Sequence, residues 1–255
     1  MFMLIVFKIN FVDEGGSKVQ SPISQETFSK VIHKHIQNEL SFPPIEQMYS
    51  PNHLLKLLWA PHDLKHMTHR DMEGLWLLLQ RDEFFKFQLL KNSTHIPKVM
   101  GFCGQFYAVE QVKTLDEIAL SPFKVRTTWR EKVRLTIQLL EFQHELRNSQ
   151  LGPLHHCDVQ SSNFGLTANQ KLVALDLDTV FTTSQLMDYL EQPSCTEDKH
   201  CDFFDCMSAC NKSVGKCTRK ILTNNLQVLR IVIELVLSPV IARIPNVFKL
   251  TPNFQ

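Results

Sequence analysis

The sequence has almost no excess of charge of either sign: 27 Lys and Arg stand against 26 Asp and Glu, a net charge of +1. That balance excludes a basic surface built for nucleic acid, and no acidic tail is present. Long apolar runs are also lacking. Residues 2–7 are apolar but short and closed by Lys8, without the basic flank and small-residue cleavage site of a secretory leader. The stretch 226–247 is interrupted by Arg230, Glu234, Pro239 and Arg243. It falls short of the roughly 20 apolar residues that a membrane helix requires, and reads as an amphipathic packing helix ending near Pro239. No internal repeat or low-complexity run stands out. No Cys-x-x-Cys pair occurs, which argues against a zinc site.

What remains is a globular composition. With 255 residues, 44% hydrophobic and 21% charged, the chain is long enough to bury a substantial core as one large domain or two lobes. Cysteine is unevenly placed: five of seven fall at Cys195, Cys201, Cys206, Cys210 and Cys217. That density among polar residues is the pattern of a disulfide-stapled segment outside the cytoplasm. An odd number leaves one of them unpaired unless Cys103 or Cys157 reaches it. Two sequons, Asn92-Ser93-Thr94 and Asn211-Lys212-Ser213, agree with a lumenal setting.

Periodicity divides the chain. Residues 2–8 read as a buried strand followed by a turn at 13–16, and 27–40 as a helix that Pro43-Pro44 ends. The span 50–70 reads as irregular. From Asp71 a single helix is expected, with Leu75, Leu78, Leu79, Phe85 and Leu89 on one face and a break at Pro97. Strands follow at 99–101 and 105–112, joined by a turn at 101–104. A long helix at 128–146 leads to a polar loop and a hairpin, 163–166 against 171–177. Strands and helices in this order predict a mixed α+β fold rather than an alternating parallel one. A boundary near 110–113 would separate a sheet-bearing half, 1–110, from a helical half, 111–255.

The polar loop carries the chemistry. Phosphoryl transfer needs a carboxylate to orient the attacking hydroxyl, and an amide plus a second carboxylate to hold Mg²⁺ on the phosphates. Protein kinases place these as His-Arg-Asp, four residues, Asn, then a strand ending in Asp. Here His156-Cys157-Asp158 is followed at that spacing by Asn163, and Asp176 ends the next strand, thirteen positions on (176 − 163). The alternative is a solvated Asp/Asn loop beside an ordinary hairpin. His62, His66 and His69 share a helical spacing, but without a nearby carboxylate or cysteine motif they read as a partly exposed cluster rather than metal ligands.

Several stretches resemble the divergent protein kinase domain (DIPK) family: Leu77-Leu78-Leu79-Gln80-Arg81-Asp82-Glu83-Phe84, Pro97-Lys98-Val99-Met100-Gly101-Phe102-Cys103-Gly104-Gln105-Phe106-Tyr107, and Cys157-Asp158-Val159-Gln160. So do Cys201-Asp202-Phe203-Phe204-Asp205-Cys206 and Asn224-Asn225-Leu226-Gln227-Val228. The resemblance covers about 70–230. It implies a kinase-like bilobal fold with a disulfide-rich C-terminal segment, residence in the endoplasmic reticulum, and phosphoryl transfer from ATP with Mg²⁺ or Mn²⁺. An unknown protein would be the substrate or partner. Family members usually carry a signal-anchor helix and further cysteines upstream, so this chain reads as N-terminally shortened, with an incomplete small lobe.

Carried over residue by residue, Asp158 is the catalytic base and Asn163 and Asp176 the metal ligands, with Asp178 taking over if the register slips by two. Lys8 is the candidate ATP-phosphate lysine and Glu83, or Glu73, its carboxylate partner. Glu110 belongs to a hinge, 107–111, that would hold the nucleotide's adenine. The departures favour an alternative, a pseudokinase scaffold binding nucleotide or protein without turnover. No Gly-rich loop precedes Lys8, Cys157 stands where kinases have Arg, and Leu177-Asp178 stand where they have Phe-Gly. Residues 60–71 lack the regular carboxylates and central Gly of a calcium loop, which argues against calcium. Arg230 occupies the place of an expected further cysteine. A third reading is a cysteine-rich secreted interaction protein in which the kinase pattern is vestigial.

Overall fold

The computed structural model describes residues 24–40, 48–60, 62–119 and 128–227. The expected strand at 2–8, Lys8, Arg230 and all but the start of the expected helix at 226–239 lie outside the described residues.

The N-terminal half is mostly helical. Helix α1 (Gln25–Leu40) buries Phe28, Ile32 and Ile36, and α2 (Pro51–Trp59) lays Leu54, Leu55 and Leu58 against it. Helix α2 corrects the expectation of an irregular 50–70. Its signal is local: the Ser50 hydroxyl accepts the His53 N–H, and Pro51 takes the first turn, where its missing N–H costs nothing.

The single helix expected from Asp71 is two. Helix α3 (His69–Leu79) starts on a reciprocal Thr68/Asp71 cap, and α4 (Asp82–Leu89) starts after Arg81 turns extended, φ −109° and ψ 116°. The apolar period runs on through this break, and neither Gly nor Pro marks it. The break lets α4 bury both faces: Glu83, Phe84, Phe85, Lys86, Phe87, Gln88 and Leu89 are all inside.

Strands β1 (Val99–Cys103) and β2 (Phe106–Val109) form an antiparallel hairpin turned at Gly104, whose φ of +56° suits glycine. Strand β3 (Val112–Thr114) then joins β5 (Phe164–Thr167) and β6 (Leu172–Ala174) in the order β3-β5-β6. A Cβ at Gly165 would lie 2.9 Å from Val112 Cγ2, so glycine permits this pairing. After the short helix α5 (Leu115–Ala119), the long helix α6 (Trp129–Arg147) begins on a Thr128/Glu131 capping box. It sinks Leu135, Leu139, Phe142 and Leu146 into the core.

Strand β4 (Leu154–His156) pairs with β7 (Val180–Thr182), and α7 (Thr183–Glu191) follows directly. Thr182 Oγ1 donates to the Leu40 carbonyl (2.9 Å), which ties the end of α1 to this half. One apolar cluster runs from Phe28 through Phe84 and Phe142 to Phe164 and Val180. Each of its fully buried large side chains is worth about 1.5–3 kcal/mol.

The cysteine-rich segment folds as short ladders, β8 (Asp202–Phe203) with β9 (Cys206–Met207) and β10 (Cys210–Asn211) with β11 (Lys216–Cys217). Three disulfides staple it: Cys195–Cys210, Cys201–Cys217, and Cys157–Cys206, the last reaching back to the polar loop. Cys103 is a free, exposed thiol. The fold is mixed α+β with small sheets, and among the described residues no helix is long and apolar enough to cross a membrane.

Candidate functional site

The polar loop leaves β4 and returns as β5, so strand pairing fixes both its ends. Within it Asn163 Nδ2 donates to Asp158 twice, to the carbonyl at 2.9 Å and to Oδ2 at 3.1 Å. Gln160 Nε2 donates to Asp158 Oδ1 at 2.5 Å. The Ser161 hydroxyl donates to Asp116 of α5, which pins the loop's far turn. Asn163 accepts the Leu175 N–H at its own carbonyl (2.8 Å), so the loop and the strand leading to Asp176 move together.

Asp158 and Asp176 are half-buried. The carboxylates of Asp176, Asp178 and Glu83 converge, their nearest oxygens all within 4.8 Å of one another. Asp178 N donates to Asp176 Oδ1 (3.1 Å), so 176–178 forms a tight turn. Glu83 reaches this turn because the break at Arg81 rotates α4 inward, and it accepts the hydroxyl of Tyr107 on β2. Burial pushes the Tyr107 phenol up and the Glu83 carboxylate pushes it further, so the phenol keeps its proton and donates. Three hard oxygen donors in one place fit Mg²⁺ or Mn²⁺.

Sequence reasoning missed two groups that hold the site. The first is Lys86, one turn beyond Glu83 and 2% exposed. Its ammonium donates to the carbonyls of Leu177 (3.0 Å) and Asp178 (3.1 Å), lies 3.6 Å from Asp82, and sits 5.1 Å from the centre of the Phe181 ring. Burial pushes its pKa down, and Asp82, Asp178 and Asp176 oppose that push. A lysine amid an apolar helix stretch was the available signal. The second is Asp205, half-buried in the turn between β8 and β9. Its stretch, Cys201–Cys206, stood out by resemblance, but nothing local assigned Asp205 a role at the polar loop.

The other sequence-predicted residues are placed as follows. Lys8 is outside the described residues. Glu73 is exposed and 3.4 Å from His69. Glu110 closes the open end of the β1–β2 hairpin, its N–H on the Lys98 carbonyl and its carboxylate accepting the Lys98 N–H (3.0 and 3.1 Å). His62 packs edge-on against Phe102 at 4.8 Å, His66 is 4.0 Å from Asp63, and His69 faces Glu73, so the three histidines do different things. In 60–71 a 3₁₀ turn, Leu64–His66, starts on Asp63, whose carboxylate accepts the Lys65 N–H.

His156, just before the loop, is fully buried against Phe142 and Phe164, and neither ring nitrogen has a hydrogen-bond partner among the described residues. Burial pushes its imidazole down to about 4, so it is neutral.

The disulfides suit an oxidising compartment. No solved structure matches the chain. A family model described as the protein-kinase domain of FAM69 matches residues 75–244. That match takes in the polar loop, the carboxylate turn and the cysteine-rich segment, well over half of the chain, and the chain therefore belongs to the FAM69 (DIPK) kinase-domain family.

Proposed function

We propose that this chain is a divergent protein kinase of the secretory pathway that transfers the γ-phosphoryl group of ATP to a protein hydroxyl. The observation that carries this reading is the pairing of Asp158 with Asn163 beside the converged carboxylates of Asp176, Asp178 and Glu83. Asp158 orients the acceptor hydroxyl and takes its proton as the new O–P bond forms. The bond from Pγ to the β-phosphate oxygen breaks, and ADP leaves with that electron pair. Asn163 and Asp176 would hold Mg²⁺ or Mn²⁺, joined by Asp178 and Glu83. A bound cation supplies positive charge for the phosphate oxygens.

The fold reading that goes with this is bilobal, with 1–110 as the small lobe and 111–255 as the large one. Tyr107 and Glu110 border the nucleotide, Lys8 approaches its phosphates, and residence is the endoplasmic reticulum. Exposed sequon residues Asn92 and Asn211 are then open to glycosylation.

A second reading is a nucleotide-binding scaffold without turnover. Its support is Lys86, which fastens the carbonyls of Leu177 and Asp178 where kinases have a Phe-Gly hinge. Thermal stabilisation by ATP with Mg²⁺ or Mn²⁺ is expected under both readings, and an unchanged melting temperature at millimolar nucleotide sinks both. Labelled phosphate transfer separates them. Asp158→Asn should lower the rate by roughly 10²–10⁴-fold, while equal incorporation by both proteins removes Asp158 from the chemistry.

A further inference from the structure

The cysteine-rich segment lies along the outer side of the polar loop and meets its backbone repeatedly. On the inner side, β4 pairs with β7, and Cys157 N–H continues that ladder to the Thr179 carbonyl (3.0 Å). On the outer side, Asn225 accepts the His156 N–H (3.1 Å) and donates to the Leu154 carbonyl (2.8 Å). One residue further on, the Cys157 carbonyl accepts the Asp205 N–H at 2.7 Å. The Asp205 carboxylate then accepts the Val159 N–H, also at 2.7 Å. The Cys157–Cys206 disulfide joins the same two segments covalently. The peptide groups on both sides of Asp158 are therefore held by one residue, Asp205.

The turn that presents Asp205 is conformationally unfavourable. Phe204 has a φ of +51° and is 64% exposed, in a place where a hairpin would ordinarily use Asn or Gly. A bulky residue stays in the left-handed region only where its surroundings over-determine it, and such strain gathers at functional sites. Here the surroundings are the β8–β9 pairing, the disulfide, and the two Asp205 bonds. The charged acceptor also makes a stronger bond to Val159 than a neutral one.

Resting on the phosphoryl-transfer reading, we infer that Asp205 is a positioning residue for Asp158: it clamps the backbone on both sides of the proposed base and sets the direction of its carboxylate. The cysteine-rich segment thereby contributes to turnover, beyond stapling itself. Nucleotide binding rests instead on the carboxylate turn at 176–178 and on Asn163, which Asp205 reaches through the Asp158–Val159 peptide, whose carbonyl accepts the Asn163 amide (2.9 Å).

The test compares wild type with Asp205→Ala and Asp205→Asn on three readouts: kcat for phosphate transfer, Kd for Mg²⁺-ATP, and hydrogen exchange at the Val159 N–H. Asp205→Ala should lower kcat by about 10- to 100-fold, the scale of a small misplacement of a reacting group, and leave Kd within about twofold. It should also speed exchange at Val159 by about tenfold or more. Asp205→Asn, whose amide oxygen still accepts from Val159, should restore most of both. If Asp205→Ala does not fold, Asp205→Glu is used, because its longer arm displaces the acceptor while keeping the charge; the same losses are expected. Wild-type kcat and exchange in the folded variant overturn the inference. So does a joint fall of kcat, affinity and melting temperature that Asn fails to rescue, the mark of a merely structural role. A wild type that transfers no phosphate sinks the phosphoryl-transfer reading alone, and Val159 exchange then decides whether the clamp exists.

Discussion

The two sides of the candidate site are held by different physics. Asp158 is held from outside by main-chain hydrogen bonds, the Asp205 carboxylate and a disulfide. The carboxylate turn 176–178 is held from inside by the buried Lys86 ammonium on the Leu177 and Asp178 carbonyls, with the Glu83 carboxylate, to which Tyr107 donates, beside it. The first arrangement is covalent and directional, and salt barely touches it. The second depends on charge in a place that water scarcely reaches, so it is strong only while every partner is present. A carboxylate fixed through its backbone, set against an acidic turn steadied by one buried ammonium, is what separates the two sides chemically.

The largest effect should come from breaking the Asp158 side. Replacing Cys157 and Cys206 together by Ser opens a loop with a sequence separation of 49. The chain-entropy argument puts the cost at about 4 kcal/mol, against about 3 kcal/mol for Cys195 and Cys210, which are 15 apart. Urea midpoints of the two double variants rank them, and equal or reversed costs would contradict it. On the other side, Lys86→Met leaves Asp82, Asp176 and Asp178 without their buried cation. A loss of about 3 kcal/mol is expected, read as a lowered urea midpoint with Val159 exchange unaltered. Accelerated exchange at Val159 in that variant would show that the two sides are not independent.

A smaller effect comes from acid. The unfolded chain titrates His156 at its ordinary 6.5, the folded chain at about 4. Between those values the unfolded state binds more protons, so this contribution is complete above pH 6.5 and is lost as pH falls towards 4. It amounts to about 3 kcal/mol at most over the whole window, and about 1 kcal/mol by pH 5.5. His95, which burial also pushes down, acts in the same direction. His156→Phe should flatten the acid limb of stability against pH, and an unchanged limb would remove His156 as its source.

Much of this was legible in the chain, because it rests on local order. The spacing of Asp158, Asn163 and Asp176, the long helix with Thr128 at its cap, and the hairpin after Asn163 all follow from short-range rules. The break at Arg81 was not legible, since no Gly or Pro signals it and the apolar period continues across it. Helix α2 was hidden by the prolines and histidines scattered over 50–70, although Ser50-Pro51 is a start signal. Lys86 and Asp205 act on partners 91 and 46 positions away, and no local pattern reports contacts at that range.

The disulfide between Cys157 and Cys206 also orders events during synthesis. Its second half emerges 49 residues after its first. At ribosomal speed that is a delay of roughly 2–10 seconds, followed by whatever time oxidation takes. Until then the segment bearing Asp158 lacks its covalent tie to the turn between β8 and β9, and in a nascent or unoxidised chain only the hydrogen bonds of Asp205 and Asn225 hold it from that side.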